Sequence, residues 1–338
     1  MKIERKITFE RNGKTVRRTV RANSEAEFNE KYNQILALAA KESEITFTKI
    51  CDEWEENHFK NIAYGTKMCY APAIRRAKDA FGELKASEVT PKMVEKLLDD
   101  LARQRYSART VKTQKVVIGL IYKYAVLNGK ADKNPAEYVP LPKNLKSQQR
   151  TPPKSETIEI IKSSVSTPFG LFPYFLLYTG CRRGEALAMR WEDIDFHKNT
   201  ITVCRKVVFQ NNKPVVENHL KTKAGEREIP LILPLKEVLE PIKMAKGYIF
   251  IDDCGNLLTE RQYINRLNAY KKATGADFTP HQLRHEYATI LYDAGIDEKM
   301  AQSIMGHSDI SVTQNIYTHI RESRLEGALN KLNSHFNS

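Results

Sequence analysis

The chain has 338 residues, with 54 Lys and Arg against 41 Asp and Glu and a net charge of +13. That length holds two or three domains with cores of their own, and that charge points to a polyanionic partner, nucleic acid first. The longest apolar stretch, FGLFPYFLLY at 169–178, is far short of the ~20 residues that span a bilayer, and the start MKIERKITFE has no apolar signal core, so no membrane association is expected.

Residues 1–21 carry eight Lys or Arg against two acidic residues and alternate in character around an RNGK turn, which predicts a hairpin of two or three strands. A helix follows, with Ser24 as N-cap and Glu27 completing a capping box. This small domain, residues 1–45, puts Lys14, Arg17 and Arg18 on strands, and a strand face fits a DNA major groove. Residues 46–140 read as four amphipathic helices, the third opened by Thr90-Pro91 and the last closed by Gly129. Along that last helix Arg109, Lys112, Lys115 and Lys123 form a candidate DNA-binding face.

The stretch 133–156 holds five prolines, and its part from 141 to 154 reads as an extended basic linker. The remainder, 155–338, is a larger domain. In it CRRGEALAMRW reads as helix. NTITVCRKVVFQ, PVVENHLKTK and EREIPLI read as strands, and helices follow, broken at Gly255, Gly275, Gly295 and Gly306. The fold class is therefore multidomain, mainly α with small β-sheets. The five cysteines (51, 69, 181, 204 and 254) are dispersed without metal or redox spacing, which fits a reducing cytoplasm.

Four stretches of the last domain read together. TGCRRGEAL at 179–187 places Arg182 at a turn entering a helix. HLKTKAGEREIPL at 219–231 reads as a hairpin with Lys221 near its tip. HQLRHEYAT at 281–289 puts His281 and Arg284 one turn apart, and GHSDISVTQNIYTH carries His307 and, ten residues later, Tyr317. The set closely resembles the tyrosine recombinases, also called the phage integrase family, in its TG-x-R-x-x-E, H-x-x-R, G-H-x-S-type and Y-T-H motifs, in their order, and in the layout of an arm-binding domain, a helical core-binding domain, a linker and a catalytic domain.

The chemistry suits those residue types. Two arginines can clamp the non-bridging oxygens of a phosphodiester, which is the task for Arg182 and Arg284. His281 can take the tyrosine proton and His307 can donate a further hydrogen bond to the phosphate. The resemblance implies that Lys221, preferred over Lys223, protonates the departing 5′-oxygen. It also implies that Tyr317 forms a covalent 3′-phosphotyrosine, with strands exchanged through a Holliday junction. Neither a cofactor nor a metal is expected. A zinc site at His281 and His285 lacks the glutamate of H-E-x-x-H, since Gln282 stands there. Glu185 is expected to orient a neighbouring cation, Arg183 to touch phosphate, and Tyr178, Tyr263, Tyr287 and Tyr292 to pack. A tail helix with Leu325, Ala328, Leu329 and Leu332 on one stripe is expected to dock on a neighbouring protomer.

The expected function is site-specific recombination by the integrase of a phage or integrative mobile element. Its partners would be core and arm-type DNA sites, three further copies of the chain, an excisionase and a host DNA-bending protein. The competing readings are a type IB topoisomerase and a DNA-binding regulator without catalysis.

Overall fold

The computed structural model describes residues 3–11, 14–42, 45–145, 152–218, 226–307 and 309–336, and the chain divides into two compact units, 1–149 and 150–338. In the first unit, β1 (Ile3–Arg11) and β2 (Lys14–Ala22) form an antiparallel hairpin in which Ile7 faces Arg18 and Thr8 faces Arg17. The sheet has two strands among the described residues. Helix α1 (Glu25–Glu42) covers one side, and Ile7, Val20, Ala22 and Phe28 form a small core. Ser24 Oγ accepts from the Glu27 amide at 3.2 Å, while the Glu27 carboxylate accepts from the Asn23 amide at 2.8 Å. The capping box thus closes one residue earlier than its usual form.

A separate core unites α2 (Phe47–His58), α3 (Tyr64–Phe81), α4 (Pro91–Arg103) and α5 (Ala108–Leu127). Thr90 caps α4 by accepting from the Met93 amide at 3.4 Å. Beyond α5 the chain does not leave this bundle at once. Ala136 and Val139 are buried in it, and Leu141 and Leu145 pack against it. Asn134 fixes the turn by donating to the Gly119 carbonyl at 3.1 Å and accepting from the Ala136 amide at 3.0 Å. The first part of the stretch read as linker is therefore docked, because its proline-rich sequence still supplies an apolar residue every two to four positions.

The second unit is built around α7 (Leu171–Thr179), whose Phe172, Phe175, Leu176 and Leu177 are fully buried. The longest apolar run is a core helix. It is preceded by α6 (Ser155–Ser163) and followed by α8 (Arg183–Leu187). The helix expected through Trp191 stops after five residues, because Met189 and Trp191 pair with the backbone of Ile249 and Gly247. The expected strand 199–210 is two strands. β4 (Thr200–Val203) joins β3 (Ile194–Asp195) and β7 (Arg227–Pro230), whereas β5 (Lys206–Gln210) forms a hairpin with β6 (Lys213–Glu217). Arg205, between β4 and β5, is drawn to Asp193 by an ion pair that turns the chain. Only the second half of the hairpin expected at 219–231 falls among the described residues. β7 lies beside β4, and residues 219–225 are outside the described residues. Helices α9 (Leu233–Leu239), α10 (Glu260–Thr274), α11 (Pro280–Asp293), α12 (Glu298–Met305) and α13 (Ile310–Phe336) complete the unit. Gly255 breaks no helix, since the segment 243–259 is a series of turns and isolated bridges.

Candidate catalytic pocket

Helix α7 ends at Gly180, whose left-handed backbone (φ 61°) lies so close to Tyr287 that a Cβ there would meet its ring at 2.3 Å. The turn delivers Arg182 to the start of α8, where buried Glu185 holds it from both sides. One carboxylate oxygen accepts from the Arg182 amide at 2.8 Å and the other from Nη1 at 2.8 Å. Arg182 Nη2 donates to the Gly306 carbonyl at 2.9 Å. Arg284, buried on α11, donates to the carbonyls of Gly180, at 2.6 Å, and Met305. Both arginines are thus fastened to the two glycine turns that flank the pocket. His307 follows the left-handed Gly306, is 8% exposed, and shares a 2.8 Å hydrogen bond between its Nδ1 and Thr313 Oγ1.

Together Arg182, His281, Arg284, His285 and His307 line a cavity of about 260 Å³. Its field is strongly positive. Burial, the cations Arg284, Arg182 and Arg227, and the neighbouring His281 push His307 down to about 4. Burial and Arg182 push Arg284 down to about 9, which leaves it charged at neutral pH. An anion is what such a pocket lacks.

The sequence reading missed Arg227. Its side chain is 3% exposed and pairs with Glu185 at 2.9 Å, while its Nε donates to the Ile304 carbonyl at 2.7 Å. Burial opposes the charge on Glu185, but Arg227 and Arg182 overcome it and hold the carboxyl at about 2. Arg227 therefore joins the helix that carries Arg182 to the turn that carries His307. In sequence it follows the stretch that carries Lys221. The available signal was an arginine two residues before Ile229-Pro230. Losing one partner of such a buried pair costs about 3–5 kcal/mol.

Tyr317 is not in the cavity. It lies on α13, 3% exposed, with its hydroxyl donating to the Ile296 carbonyl at 3.2 Å and its ring edge-on to Tyr292 at 5.1 Å. Burial, Asp297 and Glu298 push its hydroxyl up to about 12. Lys221 and Lys223 lie outside the described residues, as does Ser308. Tyr263 and Tyr287 are buried, and Tyr178 and Tyr292 pack on the core, as expected. Arg183 stacks over Phe209 and Tyr263, at 5.6 and 5.5 Å.

Of the candidate DNA contacts, Arg109 and Lys112 are exposed on α5 and Lys115 is half-buried. Arg17 and Arg18 are both exposed, but strand alternation puts them on opposite faces, so one face cannot present both. The side chain of Lys14 lies outside the described residues. Among the described residues no three His, Cys, Asp or Glu side chains gather to hold a metal, and no helix is long and apolar enough to cross a membrane.

The second unit is mainly helical with two small sheets, and it sets two buttressed arginines beside three histidines, an arrangement suited to a phosphodiester. Residues 156–324 match the phage integrase family, and the chain belongs to that family. It is 30% identical over 288 residues to a XerC-like tyrosine recombinase of Caldanaerobacter subterraneus subsp. tengcongensis, covering 75% of this chain and 73% of that one. It is 26% identical to the prophage ps2 probable integrase of Lactococcus lactis subsp. lactis, over 86% of this chain and 84% of that one. The fold matches the Tn1549 transposon integrase in complex with a circular intermediate DNA (TM-score 0.69, 21% identity, 83% of this chain and 99% of that one). It also matches the lambda integrase tetramer bound to a Holliday junction (TM-score 0.61, 19% identity, 92% and 91%). The chain is a site-specific DNA recombinase of the tyrosine class, and the topoisomerase and regulator readings give way to that one.

Proposed function

We propose that this recombinase integrates and excises a phage or integrative mobile element, with Tyr317 as nucleophile. The observation that carries the reading is the single cavity ringed by Arg182, His281, Arg284 and His307, followed directly by the helix bearing Tyr317. A scissile phosphate in the cavity would meet Arg182 and Arg284 at its non-bridging oxygens, and His307 would add a donor. The Tyr317 oxygen then bonds phosphorus as the bond to the 5′-oxygen breaks. The tyrosine proton passes to His281, and Lys221 protonates the departing 5′-oxygen, which leaves as a hydroxyl. The phosphodiester is conserved as a phosphotyrosine, so a second 5′-hydroxyl reverses the step. Tyr317 must first leave Ile296 for the cavity. There the clustered cations favour its phenolate, whereas Asp297 and Glu298 oppose it in the resting position.

Residues 1–45 would bind arm-type sites, residues 46–140 the core site, and 141–154 would link them to the catalytic domain. Assembly is as a tetramer on paired duplexes, with an excisionase and a DNA-bending protein setting direction. Similarity to a prophage integrase over 84% of its length supports the mobile-element reading over chromosome maintenance. The test is Tyr317→Phe on a nicked site. The variant should bind DNA nearly as wild type and give no covalent adduct in denaturing gels. An adduct from the Phe variant would move the nucleophile elsewhere.

A further inference from the structure

The helical bundle contains an arginine that is clamped without an acidic partner. Arg76, on α3, donates from Nε to Gln114 Oε1 on α5 at 2.9 Å. Gln114 is 0% exposed, and its amide nitrogen donates to the Ala73 carbonyl at 2.9 Å. The Arg76 guanidinium lies 5.4 Å from the centroid of the Tyr106 ring. Among the described residues no carboxylate pairs with it, unlike nearby Arg103, which is held by Asp100 at 2.5 Å.

The arrangement is costly if it serves packing alone. A buried amide has to find partners at both ends, as Gln114 does, whereas an apolar side chain there would fill the α3–α5 interface with no such demand. What the glutamine adds is orientation. Its carbonyl occupies Nε, the Tyr106 ring lies over the guanidinium carbon, and the two Nη groups remain for a ligand. Fixing an arginine side chain costs rotamer entropy, and this clamp meets part of that cost before any ligand arrives. A fixed, unpaired planar cation matches a phosphate oxygen pair.

We propose that Arg76 is a backbone-phosphate contact for duplex DNA, aligned by Gln114 and Tyr106. The inference rests on the chain's being a DNA recombinase but concerns binding and not strand cleavage. The probes are two short duplexes, one A·T-rich and one G·C-rich, titrated with full-length protein over a salt series. Arg76→Ala should weaken both ~10-fold and lower the slope of log affinity against log salt by about 1. Gln114→Leu should keep the melting temperature and lose much of the same affinity, because the cation is present but no longer held. Arg103→Ala should match wild type. An unchanged slope with a lowered melting temperature for Arg76→Ala would make it a structural strut and overturn the proposal. A loss on one duplex alone would make it a base reader and do the same. Failure of the wild-type protein to bind either duplex would count against the recombinase reading instead.

Discussion

Tyr317 sits ten residues from His307 in sequence, yet its hydroxyl is held by a backbone carbonyl outside the pocket. The sequence singles out the residue because the motif around it is local. It could not give the orientation, which depends on Ile296 and Tyr292, brought in by other helices. Arg227 was illegible for a related reason. Its partners Glu185 and Ile304 are 42 and 77 residues away. His307 gives a test of the positive field. Arg182, Arg227, Arg284 and His281 all face it, and its folded value of about 4 lies below the ~6.5 of an unfolded histidine. Between those values the unfolded chain takes up a proton that the folded chain refuses. This contribution is therefore complete above pH ~6.5 and lost as pH falls toward 4. Glu185 loses its own contribution only between its ordinary value of 4.5 and about 2, so the range above pH 4.5 reads His307 without it. Unfolding of wild type and His307→Asn across this range should show a shallower acid loss for the variant. Parallel curves would mean that His307 is charged in the folded protein.

At the scale of elements, the helices were legible wherever an apolar stripe met a capping residue, as at Ser24, Thr90 and Gly129. The strands were less so. Nothing in VCRKV separates β4 from β5, since the break arises from where Arg205 finds Asp193. The tail was legible as a helix but not as the continuation of the helix that bears Tyr317. α13 runs unbroken from Ile310 to Phe336, so Tyr317 and the tail move as one body unless the helix bends. Arg324 ties it to α11 through Asp293 and the Tyr292 ring. Just beyond, Leu325 is 72% and Leu329 55% exposed, while the side chains of Ala328 and Leu332 lie outside the described residues. Those two leucines are not spent on the catalytic unit itself, which supports a surface on another protomer. Leu325→Glu with Leu329→Glu leaves Arg324 in place. It should raise the protein concentration needed to form the two-duplex complex in native gels while leaving the melting temperature within a degree or two. Pairing at the wild-type concentration would make the tail idle in assembly.

For the whole molecule, the question is whether residues 1–45 act on DNA of their own. The hairpin is small, but its two faces are unlike. One buries Ile7, Val20 and Ala22 against Phe28 of α1. The other, fixed by the register that sets Glu4 against Arg21, Lys6 against Thr19 and Thr8 against Arg17, is exposed and polar. Threonines alternating with Lys6, Arg17 and Arg21 offer hydroxyl donors between cations, which is what a strand face needs in a groove lined by phosphates and base edges. Glu4 pairs with Arg21 at 3.1 Å, both ends exposed, so that bridge yields readily to a phosphate. This core shares no buried residue with the core of α2 to α5, so removing it should leave the bundle and the catalytic unit folded. A chain starting at residue 46 should therefore keep its footprint on the crossover sequence and its Tyr317 adduct. Footprints at a distance from the crossover should vanish, and integration in a two-plasmid assay should fall by at least tenfold. Arg17→Ala with Lys6→Ala and Arg21→Ala in the full chain should reproduce that loss without deleting any backbone. Identical distant footprints from full-length and shortened protein would leave the hairpin without a role in site recognition.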